Sequence, residues 1–357
     1  MNPAISVIMP CYHVEEYLPD IISDFDVQTF QDIEIILVND GGGDKQLKTM
    51  THLKEKNEKI IIIDKPNGGL PSARNAGLMQ AKGEYVVFVD PDDRVIPFFL
   101  QKLLEAITSE NTDVAVGGFV IHYTKEGRKV EDFLNVSDLP VDGNKRIEYL
   151  LSISTVRNAV WNKIYRTAFL KECQCRFNEG LFYSEDEEFN MRILLKTNRI
   201  TLIPDSGYVY MCRDSNSICS KYVEGYKEAR ELAISLREQV MRKIGMSDEE
   251  IHKVMLEDYY LLGYFMVCNL LKKRSPLSYK ERKKYVAMHV LNNPTMTEAF
   301  KKRNSLNDNL FTKVYNQCFK WHSAFLMVYT FRLLYGLKYN FMGCYIALAP
   351  YLKQYKK

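Results

Sequence analysis

The first 120 residues alternate short apolar runs with longer amphipathic stretches, and this alternation restricts the possible folds more than any other feature. The apolar runs are rich in Val and Ile, and they cover residues 5–9, 33–38, 60–63, 85–89 and 114–120. Short runs of this kind are typical of buried strands, and the stretches between them are long enough for crossover helices. The pattern predicts an α/β fold with a mostly parallel sheet that is flanked by helices.

Acidic residues stand where the predicted strands end. Asp40, Asp64 and Asp90 follow the second, third and fourth strands. Ligands of open α/β sheets bind beyond these carboxyl ends, which lie along one edge. Carboxylates gathered there raise one another's pKa unless a cation joins them. We therefore expect a divalent ion at this edge.

The segment Asp-Pro-Asp-Asp at residues 90–93 is the best candidate for that ion site. Mg²⁺ and Mn²⁺ prefer hard oxygen ligands and are often held by one or two carboxylates together with substrate phosphate. The alternative is an acidic turn in which Asp92 or Asp93 caps the helix expected from Pro97. The acids at positions 40 and 64 favour the metal site.

Two more segments carry groups that an anionic ligand would use. A glycine pair at residues 68–69 precedes a predicted helix that contains Arg74, and such a loop lets backbone approach a phosphate. Ser184 is followed by four acids, which predicts a helix start with a capping box between Ser184 and Glu187. A capping role does not prevent one of these acids from facing a substrate.

Length and charge predict two parts. A chain of 357 residues exceeds the size of most single cores, so a large domain with a smaller appended one is expected. Residues 1–220 hold 24 Lys and Arg against 33 Asp and Glu, and residues 221–357 hold 24 against 12. We predict a catalytic domain over 1–220 and a basic helical domain over 221–357. The eight cysteines show no metal or disulfide spacing, and no secretory signal is visible, so a cytoplasmic location is expected.

Taken together, these segments resemble the inverting family 2 glycosyltransferases of bacterial surface polysaccharide synthesis, including capsule synthesis. The resemblance covers about the first 220 residues, and it implies the glycosyltransferase-A fold, a mixed and mostly parallel sheet flanked by helices. Its pieces come in the family's order, at residues 5–12, 38–41, 67–77, 90–93, 161–165 and 183–186.

The resemblance implies a donor pocket for a nucleotide sugar, with UDP favoured by family habit. Seven residues would line its nucleoside and sugar side: Pro10, Tyr12, Glu15, Asp40, Asp64, Arg74 and Asn75. Asp40 would accept a hydrogen bond from the base. Asp90 and Asp92 would hold Mn²⁺ or Mg²⁺, with Asp92 the main ligand. Arg213 and Ser217 would reach the diphosphate.

The resemblance also implies the chemistry. Asp186 would be the general base, and Trp161, Lys163 and Glu185 would border the acceptor. One sugar would move, with inversion, onto a hydroxyl of a glycan or of a lipid-linked acceptor. The chain departs from the family in having glycines at 42 and 43, and it lacks the Gln-x-x-Arg-Trp segment and the membrane spans of processive members.

Two other readings stay open. A sugar nucleotidyltransferase would also use strand-end acids and a metal, but it normally has a glycine-rich, lysine-bearing loop after the first strand, which is absent here. A non-catalytic protein that binds a membrane or a nucleic acid would explain the basic C-terminal part. No nucleic-acid partner is expected, since all the acids needed for sugar transfer are present.

The C-terminal part predicts peripheral contact with the inner face of the plasma membrane. Basic clusters occur at residues 272–274 and 280–284, and such clusters are attracted to anionic lipid. The apolar stretch 324–349 is interrupted by Arg332 and Lys338, so it is shorter than an uninterrupted span. These two cations also lie about 120° apart on a helical wheel, which spoils a clean interfacial helix. A domain packed on the catalytic one, or a homodimer contact, is the alternative.

Overall fold

The computed structural model describes residues 2–137, 141–213, 221–272, 274–302 and 310–340. The chain divides into two compact units, Met1–Asp214 with Ser235–Gly245, and Ser215–Ile234 with Met246–Lys357. The segment Ser235–Gly245 belongs to the first unit because its long cations bind there. Arg237 Nη2 donates to the carbonyl of Leu151 at 3.0 Å, and Lys243 Nζ donates to the carbonyl of Leu194 at 2.8 Å.

Eleven strands lie in the described part of the chain. They are β1 (Ile5–Cys11), β2 (Ile33–Asp40), β3 (Ile60–Lys65), β4 (Tyr85–Phe88), β5 (Arg94–Val95), β6 (Val114–Gly117), β7 (Phe119–Tyr123), β8 (Arg128–Asp132), β9 (Lys163–Arg166), β10 (Ile200–Ile203) and β11 (Tyr208–Cys212). Seven form one sheet in the order β10-β6-β9-β4-β1-β2-β3, and β9 runs antiparallel to both its neighbours. The other four form a second sheet in the order β5-β11-β7-β8.

The helices of the first unit alternate with these strands. They are α1 (Leu18–Asp26), α2 (Gly43–Lys56), α3 (Leu70–Gln80), α4 (Phe99–Ser109), α5 (Gly143–Ser152), α6 (Ser154–Asn158), α7 (Thr167–Glu172) and α8 (Glu185–Lys196). Helix α9 (Tyr226–Lys243) is divided between the two units. The predicted α/β fold with a mostly parallel sheet is confirmed.

The central strands are buried along their whole length, as expected for a sheet covered on both faces. Every residue of β1 and β2 is buried, and α3 packs across both strands. The approach is so close that a Cβ on Gly77 would collide with Ile8. The glycine at position 77 therefore lets α3 pack closely on the sheet, and this packing fixes the position of Arg74.

The run 114–120, predicted as one strand, is two strands in two different sheets. β6 ends at Gly117, and β7 begins at Phe119 and pairs with β11. A Cβ on Gly118 would collide with the carbonyl of Pro204 and lie 2.6 Å from that of Asp132. Two glycines at this crossing let three backbone segments meet, and a larger residue would not fit.

The second unit is helical, as predicted. After the first half of α9 it comprises α10 (Asp248–Leu270), α11 (Tyr279–Val286), a π-helical turn (Ala287–Leu291), α12 (Pro294–Lys302), α13 (Leu310–Lys320) and α14 (Ala324–Asn340). α10 ends before Ser275 and Pro276, and α12 begins at Pro294. Capping boxes at Ser247 and Ser278 start α10 and α11. Among the described residues, no helix has the length and apolar character needed to span a bilayer.

Candidate active site

The strand-end carboxylates come together at one edge of the sheet, as the sequence predicted. β4, β1, β2 and β3 are neighbours in that order, so Asp40 at the end of β2 lies beside the end of β3, and Asp90 follows β4. Asp64 pairs in register with Asn39, whose side-chain amide donates to Asp64 Oδ1 at 2.7 Å. The topology thus builds an acidic crevice beyond the carboxyl ends.

Asp40 organises the glycine loop that leads into α3. Its Oδ1 accepts from Lys65 Nζ at 2.6 Å and from the Gly68 amide at 2.9 Å, and its Oδ2 accepts from the Gly69 amide at 2.8 Å. Gly69 has a φ of 85°, a left-handed conformation that suits glycine. A carboxylate has about four acceptor positions, so Asp40 has one left to accept from a nucleoside base. That contact stays a prediction.

Asp93 is a buried structural acid. Its Oδ2 accepts from the Tyr208 hydroxyl and its Oδ1 from the Met211 amide, both at 2.7 Å. Burial, with Asp90 and Asp92 next, raises the pKa of Asp93 well above its usual range. These bonds join the acidic loop to β11. The expectation that Asp92 or Asp93 caps the following helix is wrong, because α4 begins at Phe99 with no side-chain cap.

Asp92 is the exposed acid of the loop and lies against Arg213. Its side chain is 47% exposed, and Arg213 Nη1 lies 3.5 Å from its Oδ2 and also donates to its backbone carbonyl. Burial raises the pKa of Asp92, and Asp90 raises it further. The Arg213 guanidinium stacks 4.4 Å from the ring centre of Tyr17. The predicted contact of Ser217 lies outside the described residues.

Arg74 is the centre of the site. Its side chain is 1% exposed, Nη2 donates to Asp90 Oδ1 at 3.1 Å, and Nη1 donates to Asp186 Oδ1. Nη1 also lies 3.9 Å from Glu185 Oε1, and the guanidinium stands 5.2 Å from the ring centre of Phe177. One buried cation therefore joins the acid after β4 to the first turn of α8.

The charged groups of this cluster shift one another's pKa. Burial raises the pKa of Asp186 to about 7, against the lowering effect of Arg74, and Glu185 and Asp90 add to the rise. Burial disfavours the charge of Arg74, but the three carboxylates outweigh it and raise the pKa of Arg74. An aspartate with a pKa near 7 can take a proton at neutral pH, as a general base must.

The start of α8 differs from the predicted capping box. Ser184 has a φ of 59°, in the left-handed region, and its side chain makes no capping bond to the helix. Glu187 is buried and its Oε1 lies 3.3 Å from Arg157 Nη2. The prediction of a capping box between Ser184 and Glu187 is therefore wrong. Glu187 turns into the core toward a cation, while Glu185 and Asp186 turn toward Arg74.

Two of the three residues predicted to border the acceptor lie inside the fold. Trp161 is buried and stacks on Tyr208 with ring centres 4.4 Å apart, and on Tyr210 at 5.6 Å. Lys163 is 2% exposed, and its Nζ donates to the carbonyls of Val156 and Ala159 and to the side chain of Asn162. Burial lowers the pKa of Lys163 to about 7. Their acceptor roles stay predictions, and Lys163 has no exposed face to offer.

The remaining predicted donor residues occupy different settings. Pro10 is a buried residue of β1, and Tyr12 is exposed just beyond the strand. Glu15 lies 3.1 Å from Lys45, and its Oε2 has no hydrogen-bond partner among the described residues, so it can accept from a ligand. Asn75 is buried and binds the backbone at Phe177 and the carboxylate of Glu179.

Several contributors were not expected from the sequence. They are Lys65 under Asp40, Tyr208 under Asp93, Phe177 beside Arg74, and Arg157 paired with Glu187. Tyr208 stands five residues before Arg213, which the resemblance had named. The others are single residues without a motif, and only the fold brings them to the site.

The donor set suits a divalent ion that also binds phosphate. Asp90 and Asp92 are hard oxygen ligands on one loop, burial and mutual repulsion raise the pKa of Asp92, and Arg74 and Arg213 supply only part of the opposing charge. Among the described residues, no three His, Cys, Asp or Glu side chains converge enough to hold an ion by themselves. Two carboxylates would need substrate oxygens to complete the coordination.

Comparison with known proteins shows which sequences this chain resembles. Residues 6–173 match the family model described as Glycosyl transferase family 2. EpsJ of Bacillus subtilis, described as an uncharacterized glycosyltransferase, is 31% identical over 212 residues, which are 59% of this chain and 61% of EpsJ. TarS of Staphylococcus aureus, a poly(ribitol-phosphate) beta-N-acetylglucosaminyltransferase, is 30% identical over 269 residues, which are 73% of this chain and 44% of TarS.

The fold is also found in a solved structure. The crystal structure of S. aureus TarS 1-349 in complex with UDP-GlcNAc superposes with a TM-score of 0.62 at 22% identity, and covers 93% of this chain and 92% of that chain. The first unit is thus a glycosyltransferase-A fold. Over residues 6–173, just under half of the chain, the match is to glycosyltransferase family 2, as the resemblance predicted. The chain spans about three fifths of EpsJ and less than half of TarS.

Proposed function

We propose that the chain is an inverting, non-processive glycosyltransferase of polysaccharide synthesis. It moves one sugar from a UDP-sugar onto a hydroxyl of a glycan or of a lipid-linked acceptor. The observation that carries the proposal is the bridge through Arg74, which joins Asp90 on the donor side to Asp186 at the start of α8. The bridge holds a proposed base and a proposed metal-binding acid in fixed positions on one buried cation, and fixed positions favour direct displacement of a nucleoside diphosphate.

Asp186 is the proposed general base. Its raised pKa of about 7 lets it accept the proton of the attacking hydroxyl without holding a proton permanently at neutral pH. Arg74 fixes its Oδ1, so the second oxygen is the one that meets the acceptor. The hydroxyl then attacks the anomeric carbon opposite the departing diphosphate, and configuration inverts in one step.

Arg213 is the proposed partner of the leaving group. It already lies beside Asp92, and its guanidinium can bind two diphosphate oxygens as a planar fork. Asp92 and Asp90 are the proposed ligands of Mn²⁺ or Mg²⁺, which when bound would neutralise charge on the diphosphate. The neighbouring carboxylate supports this, because Asp90 adds to the rise that burial causes in the pKa of Asp92, and a bound cation would relieve both effects.

UDP-GlcNAc is the first donor to test, since the TarS structure holds it. The assay incubates the chain with UDP-GlcNAc, other UDP-sugars, GDP-mannose and dTDP-glucose, with and without Mn²⁺. It measures nucleotide release and the rise in melting temperature. We expect a UDP-sugar to raise the melting temperature and to be hydrolysed slowly in the absence of acceptor. If no nucleotide sugar does either, while Mn²⁺ binds, the proposed function is wrong.

A further inference from the structure

The last described helix, α14, has one face in the core and one face in solvent. Met327, Val328 and Phe331 are buried. A second set of apolar residues at a spacing of four is 47–51% exposed: Phe325, Tyr329 and Leu333. At 100° per residue these three fall within about 80° of arc. Large apolar side chains placed side by side in water indicate a surface that meets a partner.

The exposed set is continuous with basic residues of α11. The ring of Phe325 stacks parallel to that of Tyr329 at 5.9 Å and contacts Tyr279 of α11 edge-on at 6.4 Å. Lys283 Nζ lies 5.1 Å from the ring centre of Tyr279 and 5.8 Å from that of Phe325. The aromatic rings and the ammonium group therefore form one patch, which we call the α11–α14 patch.

The charge on the α11 side of this patch is mainly positive, and Glu228 and Glu231 of α9 are the acids that act on Tyr285 of α11. Helix α11 holds four basic residues and a single acid, Glu281, whose carboxylate accepts from the backbone amide of Ser278 in the capping box. Burial lowers the pKa of Arg282, and the nearby Arg332 of α14 lowers it further. No Asp or Glu occurs after Asp308, whereas seven Lys or Arg and thirteen aromatic residues do.

Arg332 fits this face better than the sequence suggested. It lies about 20° from Phe325 on the helical wheel and is exposed, so it borders the apolar stripe instead of interrupting it. On the helical wheel Arg332 and Lys338 lie about 120° apart. The side chain of Lys338 lies outside the described residues. A long arginine beside an apolar stripe keeps its charge at the level of headgroups while its stem is buried.

We propose that the α11–α14 patch docks on the surface of an anionic lipid bilayer. Phe325, Tyr329 and Leu333 enter the interface between headgroups and acyl chains, where aromatic side chains are favoured. Lys280, Lys283 and Lys284 lie above them against the anionic headgroups. Charge selects this occupant over a second copy of the chain, because two such basic patches would repel each other. The proposal does not depend on the transferase reaction.

The test is flotation of the full chain with vesicles, without nucleotide sugar. Equal parts of phosphatidylglycerol and phosphatidylcholine make the anionic vesicles, and phosphatidylcholine alone makes the neutral ones. We expect at least about tenfold tighter binding to anionic vesicles, which weakens as salt is raised. Lys280→Gln with Lys284→Gln should lose about fivefold for each lysine at low salt.

A matched pair of variants distinguishes binding through the α11–α14 patch from non-specific adsorption of exposed apolar residues to vesicles. Phe325→Ser, Tyr329→Ser and Leu333→Ser together should lose at least about tenfold in binding, since their apolar area no longer inserts. Val27→Ser with Met79→Ser changes exposed apolar residues of the first unit and should bind as the wild type does. Circular dichroism checks that each variant folds.

Three outcomes would overturn the proposal. The wild type does not float with anionic vesicles, or the triple variant floats as well as the wild type, or the control loses as much as the triple variant. Sedimentation adds a fourth: a wild-type dimer that becomes monomeric in the triple variant, with no vesicle binding, assigns the patch to a second copy. Nucleotide release on the same preparations reports the transferase function separately.

Discussion

Nη1 of Arg74 donates a hydrogen bond to Oδ1 of Asp186, a residue 112 positions further along the chain. The bond joins α3, which is seated on the sheet, to the first turn of α8. It orients the carboxylate and opposes the rise in pKa that burial causes. The same guanidinium holds Asp90. The geometry of the base and that of the donor loop are thus set by one side chain.

Replacing Asp186 by Asn should abolish the proton acceptor and keep the shape of the site. We expect transfer to fall by about 10² to 10⁴, the range of positioned acid–base groups. Donor binding should barely change, because Asp90, Asp92 and Arg213 remain. Initial rates and donor titrations of Asp186→Asn measure both effects. Near-normal turnover in this variant, with a dead Glu185→Gln, would assign the base to Glu185.

The activity of the wild type should rise with pH through about 7. Asp186 accepts a proton only when it is ionised, and its pKa is about 7, so kcat/KM increases as pH rises through that value and levels off above it. The residual activity of Asp186→Asn should lack this rise. A profile from pH 5 to 9 decides the matter, and a flat wild-type profile would contradict the assignment.

Loss of the Arg74 charge should raise the pH at which kcat/KM reaches half of its maximum. In Arg74→Gln the carboxylate loses its nearest cation, so the midpoint should move up by at least about one pH unit. Arg74→Lys keeps the charge but cannot bridge Asp90 and Asp186 with two nitrogens, and should move it less. Arg176→Lys, at an exposed position, serves as the control. Identical midpoints in all variants would show that Arg74 acts only through folding.

Asp92→Ala should remove metal-dependent donor binding and leave the fold intact, because this side chain is half exposed and Asp93 keeps the bonds to Tyr208 and Met211. The affinity for UDP-sugar is measured with and without Mn²⁺. Asp44→Ala changes an exposed acid of α2 and should leave both values unchanged. An Asp92→Ala protein that still gains affinity from Mn²⁺ would refute the proposed ligand.

Lys163→Met should destabilise the fold by about 2–4 kcal/mol, since it leaves three buried acceptors without their donor. Between its folded pKa of about 7 and the ordinary 10.5, the unfolded chain binds a proton that the folded chain has released. The contribution of Lys163 to stability therefore grows as pH rises through that range. Urea unfolding at pH 7 and 9, with Lys171→Met as an exposed control, tests this.

The sequence predicted the sheet well because strand runs and crossover lengths are local signals. β1 to β4 fall within two residues of the predicted runs, and the edge that collects Asp40, Asp64 and Asp90 follows from topology alone. The split of 114–120 was missed because an apolar run looks continuous across Gly117 and Gly118. Only the close approach of Pro204 and Asp132 shows why the chain must cross between sheets there.

The site was predicted as a set of residues but not as a network. Arg74, Asp90 and Asp186 were each named, yet the bridge between them depends on how α3 and α8 meet across the crevice, which no spacing encodes. The capping box at Ser184 failed for a similar reason. Glu187 pairs with the buried Arg157, and Ser184, with its left-handed φ, makes no side-chain cap to α8.

The stack of Trp161 on Tyr208 gives the protein an internal optical reporter. The chain has two tryptophans, and Trp161 lies in the first unit with its indole against the ring whose hydroxyl binds Asp93. Trp321 lies in the second unit and is exposed. With Trp321 replaced by Phe, emission comes from the buried indole alone. The wavelength and intensity of tryptophan fluorescence then report rearrangement of the acidic loop in real time, without an attached dye.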